Sequence, residues 1–375
     1  MERGIARREI RGITAAAVAL SVAACSGGGV VPQGRSLSAA HFPQYRLVVL
    51  GESLFPEKIN DNGVIVGSDS GHPTTVAFEY SAGQVMDLPQ LPGDTSSEAI
   101  DVNNHNQIVG QSSPAAGALP MHAVLWQHGH VTDLGAVPPA PGSPPNDFND
   151  ALAINNAGEI VGYSGTTSTT YATVFSPGSP HPITLGGSVL QGAATGINDE
   201  GEIVGVSIGP SAFVPFAYPN PVTCLPPTTP GGFALINDSN DTLWPADAPL
   251  ASVLCENGIG VALRMFGNGM NARGDVVGQN TEPNEPPFFD GLLFSNGSYF
   301  ALNDLVSNAE NIDFVPTSIN NEGEITGFAF SRSTTAAANV ARVKQWYRSA
   351  RANPRHHFTP PIPDNSEFGF LLVPE

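Results

Sequence analysis

The chain has 375 residues, with 41 Gly, 34 Pro and 41% hydrophobic residues. That many turn formers, beside enough apolar residues for a core, exclude both a helical bundle and a disordered chain and point to many short strands. Fifteen Lys and Arg against 34 Asp and Glu give a net charge of −19, and no Lys or Arg occurs from Ile59 to Leu263, which excludes a nucleic-acid-binding surface there.

The N-terminus reads as an address. Arg3, Arg7, Arg8 and Arg11 precede the apolar stretch Ile13 to Ala24, which is 12 residues long. That is too short to span a bilayer and right for the apolar part of a signal peptide. It runs into Val22-Ala23-Ala24-Cys25, then Ser26-Gly27-Gly28-Gly29. Small residues before Cys25 resemble the lipobox of bacterial lipoproteins. The resemblance implies that Cys25 carries a diacylglycerol and that residues 1–24 are removed. An ordinary cleavable signal with an incidental cysteine is the alternative. Residues 25–44 read as a flexible tether.

From residue 45 to 375 the chain repeats. The clearest unit is Ala153-Ile154-Asn155-Asn156-Ala157-Gly158-Glu159-Ile160-Val161-Gly162. Its leading Asn recurs as Asn60, Asn103, Asn155, Asn198, Asn237, Asn271 and Asn320, at gaps of 43, 52, 43, 39, 34 and 49. Three residues after each stand Gly63, Asn106, Gly158, Gly201, Asn240, Gly274 and Gly323. Gly and Asn are the residues that most readily take positive φ, as the last position of a three-residue hairpin loop requires. The Asn can bond its own backbone two residues on. Each motif therefore predicts a hairpin of strands a and b, with a glycine in strand b that admits a close neighbour.

Two more strands follow in most copies. Strand c is expected at Val76 to Tyr80, Ala123 to Trp126, Tyr171 to Phe175, Ala212 to Tyr218 and Gly291 to Phe294. Strand d is expected at Val85 to Leu88, Val131 to Leu134, Ile183 to Leu185 and Tyr299 to Leu305. Four antiparallel strands at this period predict an all-β, seven-bladed β-propeller of four-stranded blades. An open β-solenoid, or two smaller domains, are the alternatives. The units, with Ala123-Val124-Leu125-Trp126 and Asp133-Leu134-Gly135 as the closest matches, resemble the HAF repeat family of bacterial extracellular proteins over residues 46 to 335. Thr242-Leu243-Trp244 and the chain after Ser331 depart from it. The resemblance implies an exported β-rich repeat scaffold and brings no activity with it.

Ring closure has two candidates. Arg46 to Gly51 looks like an orphan strand d that would complete the last blade, and Phe368 to Val373 competes for the same place. Ala341 to Tyr347 is a candidate strand c for that blade, or Ala336 to Ala352 a short basic helix. Arg332, Arg342, Lys344, Arg348, Arg351 and Arg355 make this tail basic. It is expected to lie against the acidic body.

Chemistry is harder to find. Glu159, Glu202, Asp241, Asp275 and Glu324 directly follow the positive-φ position, and the hairpins of a propeller share one face. They form a partial acidic ring that would attract a cation. Calcium, however, needs six to eight oxygens from one tight loop, so turn chemistry and solubility are the expectation and no cofactor is assigned. The nine His show no metal spacing, and no catalytic motif occurs. Cys224 and Cys255 are either a disulfide or two buried thiols. The preferred reading is a monomeric, lipid-anchored propeller at the bacterial cell envelope, outer membrane or cell surface, that binds a protein or glycan and not nucleic acid. The alternatives are a hydrolase or lyase with carboxylates in the channel, and a purely structural envelope protein. A binder should show a patch of exposed aromatics. An enzyme should show converging carboxylates with raised pKa values.

Overall fold

The computed structural model describes residues 44–176, 179–185, 188–208, 213–220, 224, 233–246, 252–280, 291–307, 309, 312–331 and 367–375. Cys25, the tether before residue 44 and the six tail cations lie outside them. Seven antiparallel blades form a seven-bladed β-propeller, and Ala39–Glu375 is one compact unit.

In blade 1 strands a to d are Leu54–Ile59, Ile65–Asp69, Val76–Ser81 and Gln84–Asp87, paired in that order. Blade 2 repeats this with Ser96–Val102, Ile108–Ser113, His122–Gln127 and His130–Asp133. Strand a is buried in these blades and strand d lies at the rim, with Gln84–Asp87 exposed throughout.

The Ile-Val of strand b explains how blades stack. Successive strand residues face opposite sides. Ile108 packs toward blade 1, with Val66 and Ala77, while Val109 packs toward blade 3, with Ala151 and Ile154. Ile160 and Val161 divide in the same way between blades 2 and 4. Seven apolar clusters among the described residues thus form a circle, one at each junction, and a further cluster of Ile100, Met121, Phe148, Leu152, Tyr163 and Ala193 ties blades 2 to 4 together.

The strand-b glycine has a backbone reason. A Cβ on Gly162 would lie 2.0 Å from the carbonyl oxygen of Asp150 in strand a. Equivalent glycines in five other blades meet strand a within 2.2 Å. Blade 5 departs. Its strand a shrinks to Leu235–Ile236, and the fully buried Trp244 stands where the others have glycine.

The last blade closes the circle. Its strands a and b are Ile312–Ile319 and Ile325–Ser331; strand c is Glu367–Pro374 and strand d is Tyr45–Glu52. Val48 pairs with Leu371, which pairs with Thr326. The two chain ends therefore do not compete: they occupy successive positions. Glu367–Pro374 takes the place proposed for Ala341 to Tyr347.

Two other boundaries shift. In blade 3 the strand paired to Thr170–Phe175 is the two-residue His181–Pro182, and Thr184–Leu185 pairs instead with Ser188–Val189. Proline has no N–H to extend the ladder. In blade 6 strand d is Ser298–Ala301, and Leu302–Leu305 turns into one helical turn that buries Leu302 and Leu305.

Candidate functional site

The seven motif asparagines do more than start turns. All are buried, and the residue three positions on has φ between 58° and 85° in every blade. Asn103 shows the full pattern. Its Oδ1 accepts the N–H groups of His105 and Gln107, each at 3.0 Å. Its Nδ2 donates to the carbonyl of Asn155, the equivalent residue of the next blade, at 3.0 Å. The same bond runs from Asn60 to Asn103, Asn155 to Asn198, Asn198 to Asn237, Asn237 to Asn271 and Asn271 to Asn320. It returns from Asn320 to the carbonyl of Asn60 at 3.0 Å. Seven amides link the blades in a closed circle, which an open solenoid cannot do.

The acidic ring takes part in this device. The second N–H of the amide goes to Glu159, Asp241, Asp275 and Glu324 in their own blades, at 2.8 to 3.2 Å, and to Gln107 in blade 2. Blade 1 has Val64 there, and Asn60 instead donates to Asn106 Oδ1 of blade 2 at 3.0 Å. In blade 4 Asn198 likewise uses Asn240 of blade 5, which leaves Glu202 to accept from Asn220. Asn at the positive-φ position thus appears where the preceding blade needs an acceptor. Four of the five ring carboxylates thus accept from the asparagine of their own turn.

A different carboxylate group faces the inner wall. Glu57, Glu98 and Asp150 belong to strand a of blades 1, 2 and 3. Strand a carries a β-bulge here, and Glu57 is the extra residue between Pro56 and Lys58. At the bulges of blades 4, 6 and 7, Thr195, Asn268 and Thr317 bond the backbone of the next blade. Among the described residues none bonds the Glu57 carboxyl. Lys58 turns to Asp101, 3.7 Å away, and that carboxylate also accepts the N–H of Ile154. Asp150 is fully buried. One oxygen lies 3.5 Å from the hydroxyl of Tyr163, and the other has no partner. Gln111 donates to Glu98 at 2.8 Å.

Burial pushes the Glu57 carboxyl up to about 8, helped by the charge of Glu98. Asp150 is raised well above the usual range by burial and then by Glu98, with Tyr163 pulling the other way. Glu98 is thus the shared neighbour of two carboxyls whose pKa values are raised. A group with a raised folded pKa binds its proton more tightly in the native state. Its stabilising effect is full below pH 4.5 and is lost as pH rises through about 8. Thermal melts from pH 5 to 9 should therefore show the native chain losing stability toward the alkaline end, and Glu57→Gln should flatten that slope.

The remaining sequence candidates fall elsewhere. Cys224 and Cys255 form a disulfide, with Cα atoms 6.2 Å apart. Among the described residues only Tyr299 is an exposed aromatic of note, so no aromatic patch is present on them. Ser112 and His122 both bond Asp94, at 2.7 and 3.1 Å, and so do not form a nucleophile–base relay. The sequence showed no metal spacing, but folding brings Asp69, His72 and Asp87 together in blade 1. No helix among the described residues is long and apolar enough to cross a membrane.

No family model matches the chain, and no curated protein matches it. The HAF-repeat resemblance rests on the repeat residues alone. Solved structures are similar at low identity. TolB from Acinetobacter baumannii has 11% identity and a TM-score of 0.40, over 64% of this chain and 61% of its own. A catalytically inactive virginiamycin B lyase from Staphylococcus aureus, solved with quinupristin, has 10% identity and a TM-score of 0.44, over 88% and 100%. A puromycin-hydrolyzing peptidase of Mycobacterium tuberculosis has 12% identity and a TM-score of 0.47, over 77% and 51%. This chain spans about three-fifths of TolB and half of the peptidase. At these identities and scores the likeness carries no function across.

Proposed function

We propose that the protein is an extracytoplasmic binding propeller, held at the cell envelope by a lipid on Cys25, whose ligand meets the part-exposed Glu57, with the buried Glu98 and Asp150 behind it. The observation that carries this is the convergence of three carboxyls on the inner strands, one of them unbonded by any described residue and another with an unpartnered buried oxygen. A group of this kind costs stability, and apolar residues of similar volume would serve the fold better. With its pKa pushed up to about 8, Glu57 offers an O–H donor at neutral pH, next to Glu98, whose carboxyl already accepts from Gln111. That mixture suits the hydroxyls of a glycan. The rest of the described surface holds only Arg46, Lys58, Arg264 and Arg273 as cations, which disfavours an anionic ligand.

Two measurements test the two halves. A palmitate analogue should label the native chain in cells and not Cys25→Ser; equal labelling removes the lipid anchor. The mature chain should retain fragments of envelope polysaccharide on an array. Losing one ligand hydrogen bond in Glu57→Leu or Glu57→Ala should weaken retention about tenfold. Unchanged retention in both variants places the ligand elsewhere on the propeller. A second reading, a hydrolase or lyase, is favoured by one fact. A carboxyl with its pKa near 8 beside Glu98 is the acid and base pair such chemistry uses. Turnover of the retained glycan, abolished in Glu57→Gln, distinguishes it from binding alone.

A further inference from the structure

Asp69, His72 and Asp87 come from three different pieces of blade 1: the end of strand b, the loop to strand c and the end of strand d. Their donor atoms all lie within 4.8 Å of one another. His72 Nε2 stands 3.4 Å from Asp69 Oδ2 and 3.4 Å from Asp87 Oδ2. Both distances exceed those of a good N–H···O hydrogen bond, and His72 Nε2 stands equally far from the two carboxylates. They match a different object. Four-coordinate zinc with bonds of about 2.0–2.1 Å sets its ligand atoms about 3.3–3.4 Å apart.

The surroundings fit a first coordination shell with room for another ligand. Asp69 Oδ1 accepts the N–H of Gly71 at 2.7 Å, which fixes the carboxylate and leaves Oδ2 toward His72. Side-chain exposure rises from 18% at Asp69 to 38% at His72 and 50% at Asp87, so the group opens outward on one side. The set belongs to blade 1 alone. At the position of Asp69 the other six repeats have Ser112, Ser164, Ser207, Ala246, Asn280 and Ala329. Asp133, the blade 2 counterpart of Asp87, caps the N–H of Gly135 instead, at 2.8 Å.

The geometry points to a zinc site at Asp69, His72 and Asp87, with its fourth position open to water or to a donor atom of a ligand. One imidazole and two carboxylates select a borderline transition ion over calcium, which needs more oxygens. This site is separate from the carboxyl group of the inner wall and does not depend on the function proposed for it.

The test is equilibrium dialysis of the detergent-solubilised mature chain against zinc, with Co(II) as a spectroscopic substitute. One zinc per chain is expected, and Co(II) should give the intense visible bands of a four-coordinate ion. His72→Ala should weaken zinc binding by at least about 100-fold, since even outer-shell losses cost 10- to 100-fold. The double variant His356→Ala, His357→Ala should bind as the native chain does. Native-like binding in His72→Ala, loss of binding only in the tail variant, or no bound zinc at all would each overturn the proposal.

Discussion

Asn320→Ala should destabilise the protein by about 3–5 kcal/mol and lower its melting temperature by roughly 5–10 °C. This is the amide that joins the seventh blade to the first. Its Oδ1 accepts the N–H groups of Glu322 and Glu324 at 3.1 and 2.8 Å. Its Nδ2 donates to Asn60 O at 3.0 Å and to Glu324 Oε2 at 2.8 Å. All four hydrogen-bonding positions of the side chain are used, and the residue is only 3% exposed. Alanine removes them together. Asn60 O keeps its turn bond from Gly63, but Glu324 is left as a carboxylate without its donor. Asn320→Asp keeps the acceptor, loses both donors and sets a second negative charge beside Glu324. It should be at least as damaging as alanine. Melts of both variants in the full chain decide the matter. A melting temperature within a degree of the native chain for Asn320→Ala would make the amide circle incidental.

The parts of the fold legible in the sequence are those that each repeat carries within itself. Asn155 and Gly158 sit in one turn, so their spacing shows the turn directly. Ile160 and Val161 are adjacent, and a run that is apolar on both faces announces a strand covered on both sides. What lies between repeats is harder to see. Val64 looks like a defect in the acidic series until Asn106 of the next blade is seen supplying the missing acceptor. Glu57 and Glu98 occupy non-equivalent positions, three and five residues before their motif asparagines, and only the packing of strand a of blade 1 beside strand a of blade 2 makes them neighbours. Asp69 and Asp87 are 18 residues apart and meet because strand d folds back beside the b–c loop. The lone His72 carried no spacing signal because its partners are carboxylates, which are abundant in this chain. Strand c of the last blade was obscured for a related reason: residues 332–366 separate it from its own hairpin.

Removal of residues 367–375 should abolish soluble folded protein, although it touches no repeat motif. Glu367–Pro374 lies between Ile325–Ser331 and Tyr45–Glu52 and is hydrogen-bonded to both. Among the described strands it is the only partner of Tyr45–Glu52, so its loss also frees the N-terminal strand. Phe370 and Leu372 are fully buried in the cluster between blades 6 and 7, and Leu371 packs at the junction with blade 1. Three such side chains contribute about 1.5–3 kcal/mol each, before the two ladders are counted. That approaches the whole stability of a typical domain, about 5–15 kcal/mol. The loss also spreads across the seam. Thr317 Oγ1 donates to Pro56 O, and Ile59 N–H reaches Ser318 Oγ, so loosening strand a of the last blade releases the first. Removal of residues 26–51 should be less severe, because strands a to c of the last blade stay paired. It uncovers the outer edge of Glu367–Pro374, and the expected result is a folded but self-associating chain. In an open array either deletion would trim one end, and repeats elsewhere would keep their neighbours. Sedimentation and thermal unfolding of the two truncations separate these cases. A truncation ending at residue 366 that melts cooperatively as a monomer, near the native temperature, would show that the circle does not depend on its last strand.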